Sequence, residues 1–245
     1  MKRISLMLMF LLVWAGSAVA LPLNDILQNQ LDLRTAGGSS GVDVHADMLN
    51  DLYDSNWNIT ASGGSFSTIM FEFAGYKNGT SFGLYDLADK TNTLTLYTGL
   101  DSEEYRNTLQ IAGGQFVTTR YDSDGYFLGQ NFATFSSTTF GYYLNVSNTG
   151  NVYYSDTALN EDNYDHMLAY SGVGDSFSVY NDGNYATWTS NEWIFAWEDL
   201  YGGGDEDFTD FVIMAESVSP VPEPATLLLL GSGLVGLAFL KRRKS

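Results

Sequence analysis

The most chemically specific stretch of the chain is residues 197–211, which read Trp-Glu-Asp-Leu-Tyr-Gly-Gly-Gly-Asp-Glu-Asp-Phe-Thr-Asp-Phe. It contains no Lys or Arg and six carboxylates: Glu198, Asp199, Asp205, Glu206, Asp207 and Asp210. Crowded like charges repel unless they are solvated or share a cation. Three glycines let the backbone turn tightly, and a flexible turn with oxygen-only ligands is what calcium accepts. The pattern therefore indicates either a calcium site or a solvated acidic hairpin loop.

Motifs of common hydrolases are missing from the sequence. It has no Gly-x-Ser-x-Gly elbow and no His-Glu-x-x-His motif. The only histidines are His45, in a polar stretch, and His166, which precedes an apolar run and is interpreted as a half-buried structural residue. A glycosidase needs only two carboxylates, so counting residues does not exclude that class. We predict a protein that is not an enzyme, with no catalytic residues.

The acidic turn must be held by β-structure, because apolar aromatic runs enter and leave it at residues 193–197 and 211–215. From residue 65 onward, short alternating runs are separated by turn signals such as Asn78-Gly79 and Asp124-Gly125. This pattern predicts an all-β fold, a β-sandwich or jelly-roll-like domain over residues 65–216. Residues 21–64 are predicted to form a polar N-terminal strap with a short helix near Ile26, and residues 217–220 a linker.

The body of the chain is strongly acidic and has no cysteine. Residues 21–220 hold five Lys or Arg against 28 Asp or Glu, a net charge near −23. Such a field repels nucleic acid and anionic polymers and attracts cations, so nucleic-acid binding is excluded. Without disulfides, stability must come from the core, from a metal, or from both.

Both ends of the chain have features of export and membrane handling. Residues 1–20 have a basic start, an apolar core and a small-residue cleavage pattern, which predict a signal peptide. Near the other end, the 15 apolar residues 226–240 would span roughly 22 Å as a helix, short against a bilayer core of about 30 Å. We predict a short transmembrane helix, followed by a basic membrane stop made of Lys241, Arg242, Arg243 and Lys244.

The order of features in residues 221–245 resembles the PEP-CTERM sorting signal of Gram-negative bacteria. Its signature tripeptide corresponds to Pro222, Glu223 and Pro224, followed by the apolar run and the basic end. The resemblance implies recognition by exosortase, a membrane protease-transpeptidase, cleavage near the tripeptide, and delivery to the cell surface or to the extracellular matrix of a biofilm.

The acidic turn is similar to the closing motif of a bacterial surface family, the domain of unknown function 4114. The resemblance would cover about residues 65–220 and implies a β-sandwich that binds calcium. It carries over five candidate metal ligands: Glu198, Asp199, Asp205, Asp207 and Asp210. Thr209 stands where the family pattern usually has Asn.

Together these features predict an exported, membrane-anchored precursor that becomes a non-enzymatic cell-surface or matrix protein. We expect calcium as its cofactor, and exosortase and exopolysaccharide or other surface proteins as its partners. The alternative is a lectin or a glycoside-active enzyme that acts on the secreted polymer. Trp57, Tyr76, Tyr153, Tyr154 and Trp188 are the aromatic candidates for stacking on sugar rings.

Overall fold

The computed structural model describes residues 25–71 and 79–222. The described chain is mostly β-sheet, and its sheets do not close into a barrel, which confirms the prediction of a β-rich protein. Two helices precede the sheets, α1 (Ile26–Arg34) and α2 (Asp51–Asp54). The strands are β1 (Trp57–Ile59), β2 (Ser65–Phe71), β3 (Thr80–Asp86), β4 (Asp89–Thr98), β5 (Arg106–Ala112), β6 (Gln115–Tyr121), β7 (Phe127–Ala133), β8 (Phe140–Val146), β9 (Asn151–Tyr154), β10 (Met167–Ser171), β11 (Asp175–Phe177), β12 (Ala186–Trp188), β13 (Glu192–Trp197), β14 (Phe211–Glu216) and β15 (Val218–Pro220).

These strands form two large antiparallel sheets and one small one. The six-stranded sheet has the order β15-β1-β8-β3-β4, with β9 also paired to β8. The seven-stranded sheet has the order β10-β13-β14-β2-β5-β6-β7, and β11 pairs with β12. The hairpin of β13 and β14 lies inside the seven-stranded sheet, so the turn between these strands emerges at one end of that sheet.

Aromatic side chains from both large sheets meet in one core. The ring of Trp57, on the six-stranded sheet, lies 4.7 Å from that of Phe195 on the seven-stranded sheet. Tyr142 and Phe195 are 4.8 Å apart, and Phe82 and Trp197 are 5.8 Å apart. Alternation along each strand turns these side chains inward, and tilted or edge-on pairs at such distances are favourable. The two sheets therefore share a buried aromatic layer.

A second core lies on the outer face of the seven-stranded sheet. Leu27 and Leu31, one turn apart on α1, are fully buried together with Val42 and Val44 of the following segment. Their cluster also contains strand residues such as Leu168, Ile194 and Val212. The N-terminal segment thus covers part of this face, as a strap would.

The structure differs from the predicted boundaries at two places. Within the predicted strap, Trp57–Ile59 is β1, and Trp57 is a central core residue. In the predicted linker, Val218–Pro220 is β15, which pairs with β1 in the register Trp57↔Pro220. Three-residue strands carry almost no periodic signal in sequence, because their pairing depends on distant partners.

The predicted signal peptide (1–20), the apolar run (226–240) and the basic stop (241–244) lie outside the described residues. Within residues 25–71 and 79–222, no helix has the length and apolar character needed to cross a bilayer.

Candidate metal centre

The acidic turn is built where β13 ends and β14 begins. Trp197 and Phe211 form the last register pair of this hairpin, and both are buried in the inter-sheet core. Glu198 and Asp210 are the next residues outward, so the strand register brings these two carboxylates to the same sheet end. The Asp199 backbone N–H donates to Asp210 Oδ2 at 2.8 Å, which fixes the Asp210 side chain across the turn.

All five predicted ligands come together around one residue, Glu198. Ligand oxygens of Glu198, Asp199 and Asp210 lie within 4.8 Å of one another, and so do those of Glu198, Asp205 and Asp207. The sixth carboxylate of the turn, Glu206, is outside both groups, and its Oε1 accepts a 3.4 Å hydrogen bond from the Tyr164 hydroxyl.

Glu198 is completely buried and only partly satisfied. Its Oε1 accepts a 3.2 Å hydrogen bond from the Leu200 N–H, whereas its Oε2 is buried with no hydrogen-bond partner. Burial, together with the charge of Asp210, raises the pKa of Glu198 to about 9. Burial also raises the pKa of Asp210. A buried carboxylate oxygen without a partner is costly unless a cation or a proton neutralises it.

The donor set fits a hard cation. Every candidate ligand offers carboxylate oxygen, which calcium and magnesium prefer, whereas zinc favours the nitrogen and sulfur of His and Cys. The sequence has no Cys at all. Calcium also tolerates the irregular, flexible geometry of such a turn better than magnesium, which demands a near-ideal octahedron.

Three residues inside the acidic turn shape it around the candidate ligands. Gly204 has φ +49°, and a Cβ there would lie 2.5 Å from Glu198 Oε1, so only glycine lets the turn close on this carboxylate. Phe208 is completely buried in the outer core and ties the far side of the turn to the sheet. Thr209 donates from both its N–H (2.8 Å) and its hydroxyl (2.7 Å) to Asp207 Oδ1, so Thr at this position orients a candidate ligand.

His166 and Asp162 support the turn from behind. His166 is completely buried, not half-buried as predicted, and its Nδ1 lies 2.9 Å from the Glu198 carbonyl oxygen. Its Nε2 lies 2.9 Å from Asp162 Oδ2, and the same oxygen accepts the Gly202 N–H at 2.8 Å. Burial lowers the pKa of His166, and the two acceptors oppose that shift. Sequence reasoning missed Asp162, because its Gly202 partner is 40 residues away in the chain.

Among the described residues, the aromatic candidates for sugar stacking do not form an exposed platform. Trp57, Trp188 and Tyr153 are buried, with at most 2% of their surface exposed, and Trp57 and Tyr153 belong to the inter-sheet core. Tyr154 is half-buried, and Tyr76 lies outside the described residues.

Of the sorting tripeptide, Pro222 is the last described residue, directly after β15 and Val221, whereas Glu223 and Pro224 lie outside the described part.

Comparisons with known families match two successive segments in the C-terminal half of the chain. A family model for the Domain of unknown function (DUF4114) matches residues 125–217, which include the acidic turn but begin later than the predicted residue 65. A model for the PEP-CTERM protein-sorting motif matches residues 220–244. No curated protein matches the chain. The sorting motif marks a secreted surface protein that exosortase processes. The chain thus carries a DUF4114 domain followed by a PEP-CTERM sorting motif, as both resemblances predicted.

Proposed function

We propose that this chain is a non-enzymatic, calcium-binding protein of the cell surface or extracellular matrix. In this proposal it is a β-sandwich, exported by an N-terminal signal peptide and held by a short C-terminal helix until exosortase cleaves it. Calcium stiffens the sheet end that carries the acidic turn. The mature domain then associates with exopolysaccharide or with other surface proteins.

One observation carries the calcium assignment: the completely buried Glu198, whose Oε2 has no hydrogen-bond partner, is common to two groups of closely spaced carboxylates. A solvated acidic loop would instead place its carboxylates in water, where each could be hydrated. Calcium bound there would supply positive charge to Glu198, Asp199, Asp205, Asp207 and Asp210, which would hold it through carboxylate oxygens.

The same burial favours a binding role over a catalytic one. A raised pKa on Glu198 beside Asp210 is a feature that glycosidase acids share. A glycosidase acid must reach the glycosidic oxygen of its substrate, however, and Glu198 has no exposed surface. The non-enzymatic interpretation is therefore the one that the site favours.

Thermal unfolding with calcium or chelator tests the proposal. Calcium at 100 times its Kd should stabilise the fold by about 2.7 kcal/mol. For a domain of this size we expect the Tm to rise by about 5–10 °C. Glu198→Gln should abolish the calcium-dependent rise while leaving the chelated protein folded, because it removes a buried charge and keeps the shape.

Glu206→Gln is the matched control, because it changes the same charge in the same turn outside both carboxylate groups, and it should keep the rise. A Tm of the unaltered protein that is the same in calcium and in chelator would overturn the proposal. Release of reducing sugar from exopolysaccharide by the purified protein would favour the alternative, a glycoside-active enzyme.

A further inference from the structure

The candidate ligands of the acidic turn fall into two groups that share one member. Ligand oxygens lie within 4.8 Å of one another in each group: Glu198 with Asp199 and Asp210, and Glu198 with Asp205 and Asp207. Among the described residues, no such group contains all five carboxylates. The acidic turn therefore offers two adjacent sets of three carboxylates, with Glu198 common to both.

This spacing limits what a single ion can contact. Calcium holds its oxygen ligands at about 2.3–2.6 Å, so two ligands of the same ion lie at most about 5 Å apart. The oxygens of each group are within this limit, whereas the five carboxylates do not form one group. A single ion would therefore engage one group and leave the other two carboxylates without a cation, unless side chains moved.

The two groups also differ in their surroundings. The inner group, Glu198 with Asp199 and Asp210, lies at the sheet end where β13 stops and β14 starts, and both Glu198 and Asp199 are buried. The outer group adds Asp205, which is exposed, and Asp207, which is half-buried, and both follow the three glycines. The inner group is thus shielded by the fold, and the outer group opens to solvent.

Glu198 is placed to contact an ion in each group. None of its surface is exposed, and its Oε2 has no hydrogen-bond partner. Its Oε1 lies against Gly204, where a Cβ would be 2.5 Å away, and Gly204 directly precedes Asp205. The carboxylate therefore extends from the end of β13 to the glycine run. Because its two oxygens each carry lone pairs, a carboxylate can bind two cations at once.

The charge of the site favours two ions over one. When ionised, the five carboxylates carry five negative charges, and one calcium ion would neutralise two of them. Three charges would then stay close together in a turn whose Glu198 and Asp199 are buried, and such crowding is unfavourable. Two calcium ions would leave a single excess negative charge.

We propose that the acidic turn binds two calcium ions, one in the inner group and one in the outer group, and that Glu198 bridges them. The inference rests on the calcium binding proposed above and adds the number of ions and a bridging role for Glu198. Thr209 orients Asp207 toward its role by donating two hydrogen bonds to Oδ1. Carbonyl or water oxygens complete each shell, because calcium takes six to eight oxygen ligands.

Counting bound calcium on the full-length protein tests the number of ions. Equilibrium dialysis, checked by native mass spectrometry, should give two ions per chain. Asp205→Asn should leave the inner ion, and Asp210→Asn should leave the outer one, so each variant should bind one. Glu198→Gln should lose both. Glu206→Gln removes one charge from the same turn outside both groups and should keep two.

Lanthanide luminescence tests whether the two ions are neighbours. Terbium replaces calcium at oxygen sites, and the buried Trp197, directly before Glu198, can excite it. With terbium and europium bound in the same chain, the terbium lifetime should shorten, because energy passes between ions only over short distances. Asp205→Asn, left with one site, should show no such shortening. An unchanged lifetime in a chain that holds both ions would overturn the bridge.

The outcomes separate this inference from the proposed function. A protein that binds no calcium would overturn both. One ion in the unaltered protein, weakened by both Asp205→Asn and Asp210→Asn, would overturn the inference and leave the proposed function standing. Two ions of which Glu198→Gln removes only one would overturn the bridge. If Asp210→Asn does not fold, as judged by circular dichroism, Asp205→Asn and Glu198→Gln still decide, because the first must lose one ion and the second must lose both.

Discussion

Asp162 Oδ2 lies 2.9 Å from His166 Nε2 and accepts the Gly202 N–H at 2.8 Å, so one carboxylate oxygen joins a buried imidazole to the acidic turn. The other ring nitrogen of His166 contacts the Glu198 carbonyl oxygen. The position of the candidate metal ligands thus depends on a pair of residues that offer no ligand themselves.

Loss of this support should weaken calcium binding without removing a ligand. We expect Asp162→Asn to lower calcium affinity about 10-fold to 100-fold, the usual effect of changing a group that orients metal ligands. Calorimetry measures the affinity. Glu161→Gln, the exposed neighbour, should leave it unchanged. Equal affinities for Asp162→Asn and the unaltered protein would show that the turn does not need this oxygen.

Two glycine positions of the acidic turn should respond differently to alanine. Gly204→Ala places a methyl group against Glu198 Oε1 at a backbone conformation (φ +49°, ψ −119°) that other residues rarely adopt. We expect a loss of about 1–3 kcal/mol of stability and a clear loss of calcium affinity. Gly202→Ala, at φ +71° and ψ 19° with open space around it, should cost about 1 kcal/mol and keep the affinity. Urea unfolding and calorimetry would detect the difference, and equal effects would contradict it.

Asp86 should contribute acid-sensitive stability. Burial opposes its ionisation, but hydrogen bonds from the hydroxyl and N–H of Ser136, the Ala88 N–H and the Asn92 amide together lower the pKa of Asp86. Because the folded pKa is below the unfolded value, this stabilisation is present at neutral pH and is lost as the pH falls below about 4.

We expect Asp86→Asn to cost about 1–3 kcal/mol at pH 7 and to make the fall in stability below pH 4 shallower. Urea unfolding between pH 3 and 7 measures both effects, with Asp124→Asn as the exposed control. A fall as steep as that of the unaltered protein would mean that other carboxylates account for the acid response.

The contact between sheets at Trp57 is expected to be a major source of stability. Its ring packs on Phe195 at 4.7 Å and Trp193 at 5.1 Å, both from the opposite sheet. Trp57→Ala should destabilise the fold by about 3–5 kcal/mol, whereas Tyr126→Ala, at a site with 71% of the side chain exposed, should have little effect. Chemical denaturation in excess calcium compares them, and similar losses would contradict the shared core.

Processing at the sorting motif can be followed by intact mass. We expect Glu223→Ala to leave the chain as an uncleaved precursor in the membrane fraction, while the unaltered protein loses its C-terminal segment and appears at the surface. Glu216→Ala, an exposed acidic residue of β14, should be processed normally. Normal release of Glu223→Ala would mean that the tripeptide is not what exosortase requires here.

Local sequence patterns predict the part of the site whose residues lie close together in the chain. The acidic turn lies between two apolar strands that pair with each other, so the sequence predicts that its carboxylates gather. The support from Asp162 could not be predicted in this way, because Asp162 and Gly202 are 40 residues apart in the chain and meet only in the fold. The burial of Trp188, a candidate for an exposed sugar contact, could not be predicted for a similar reason. It depends on contacts with the N-terminal segment and with Phe177, which no periodicity of the sequence connects to Trp188.

The end of β15 determines how tightly a processed protein would be tethered. The N–H of Val221 still donates to the Asn56 carbonyl oxygen at 2.7 Å, and the sorting tripeptide begins at the very next residue. Cleavage or a new linkage at the tripeptide would therefore leave very few residues between the folded domain and its point of attachment. Such a short connection would hold the domain close to its support and restrict its orientation.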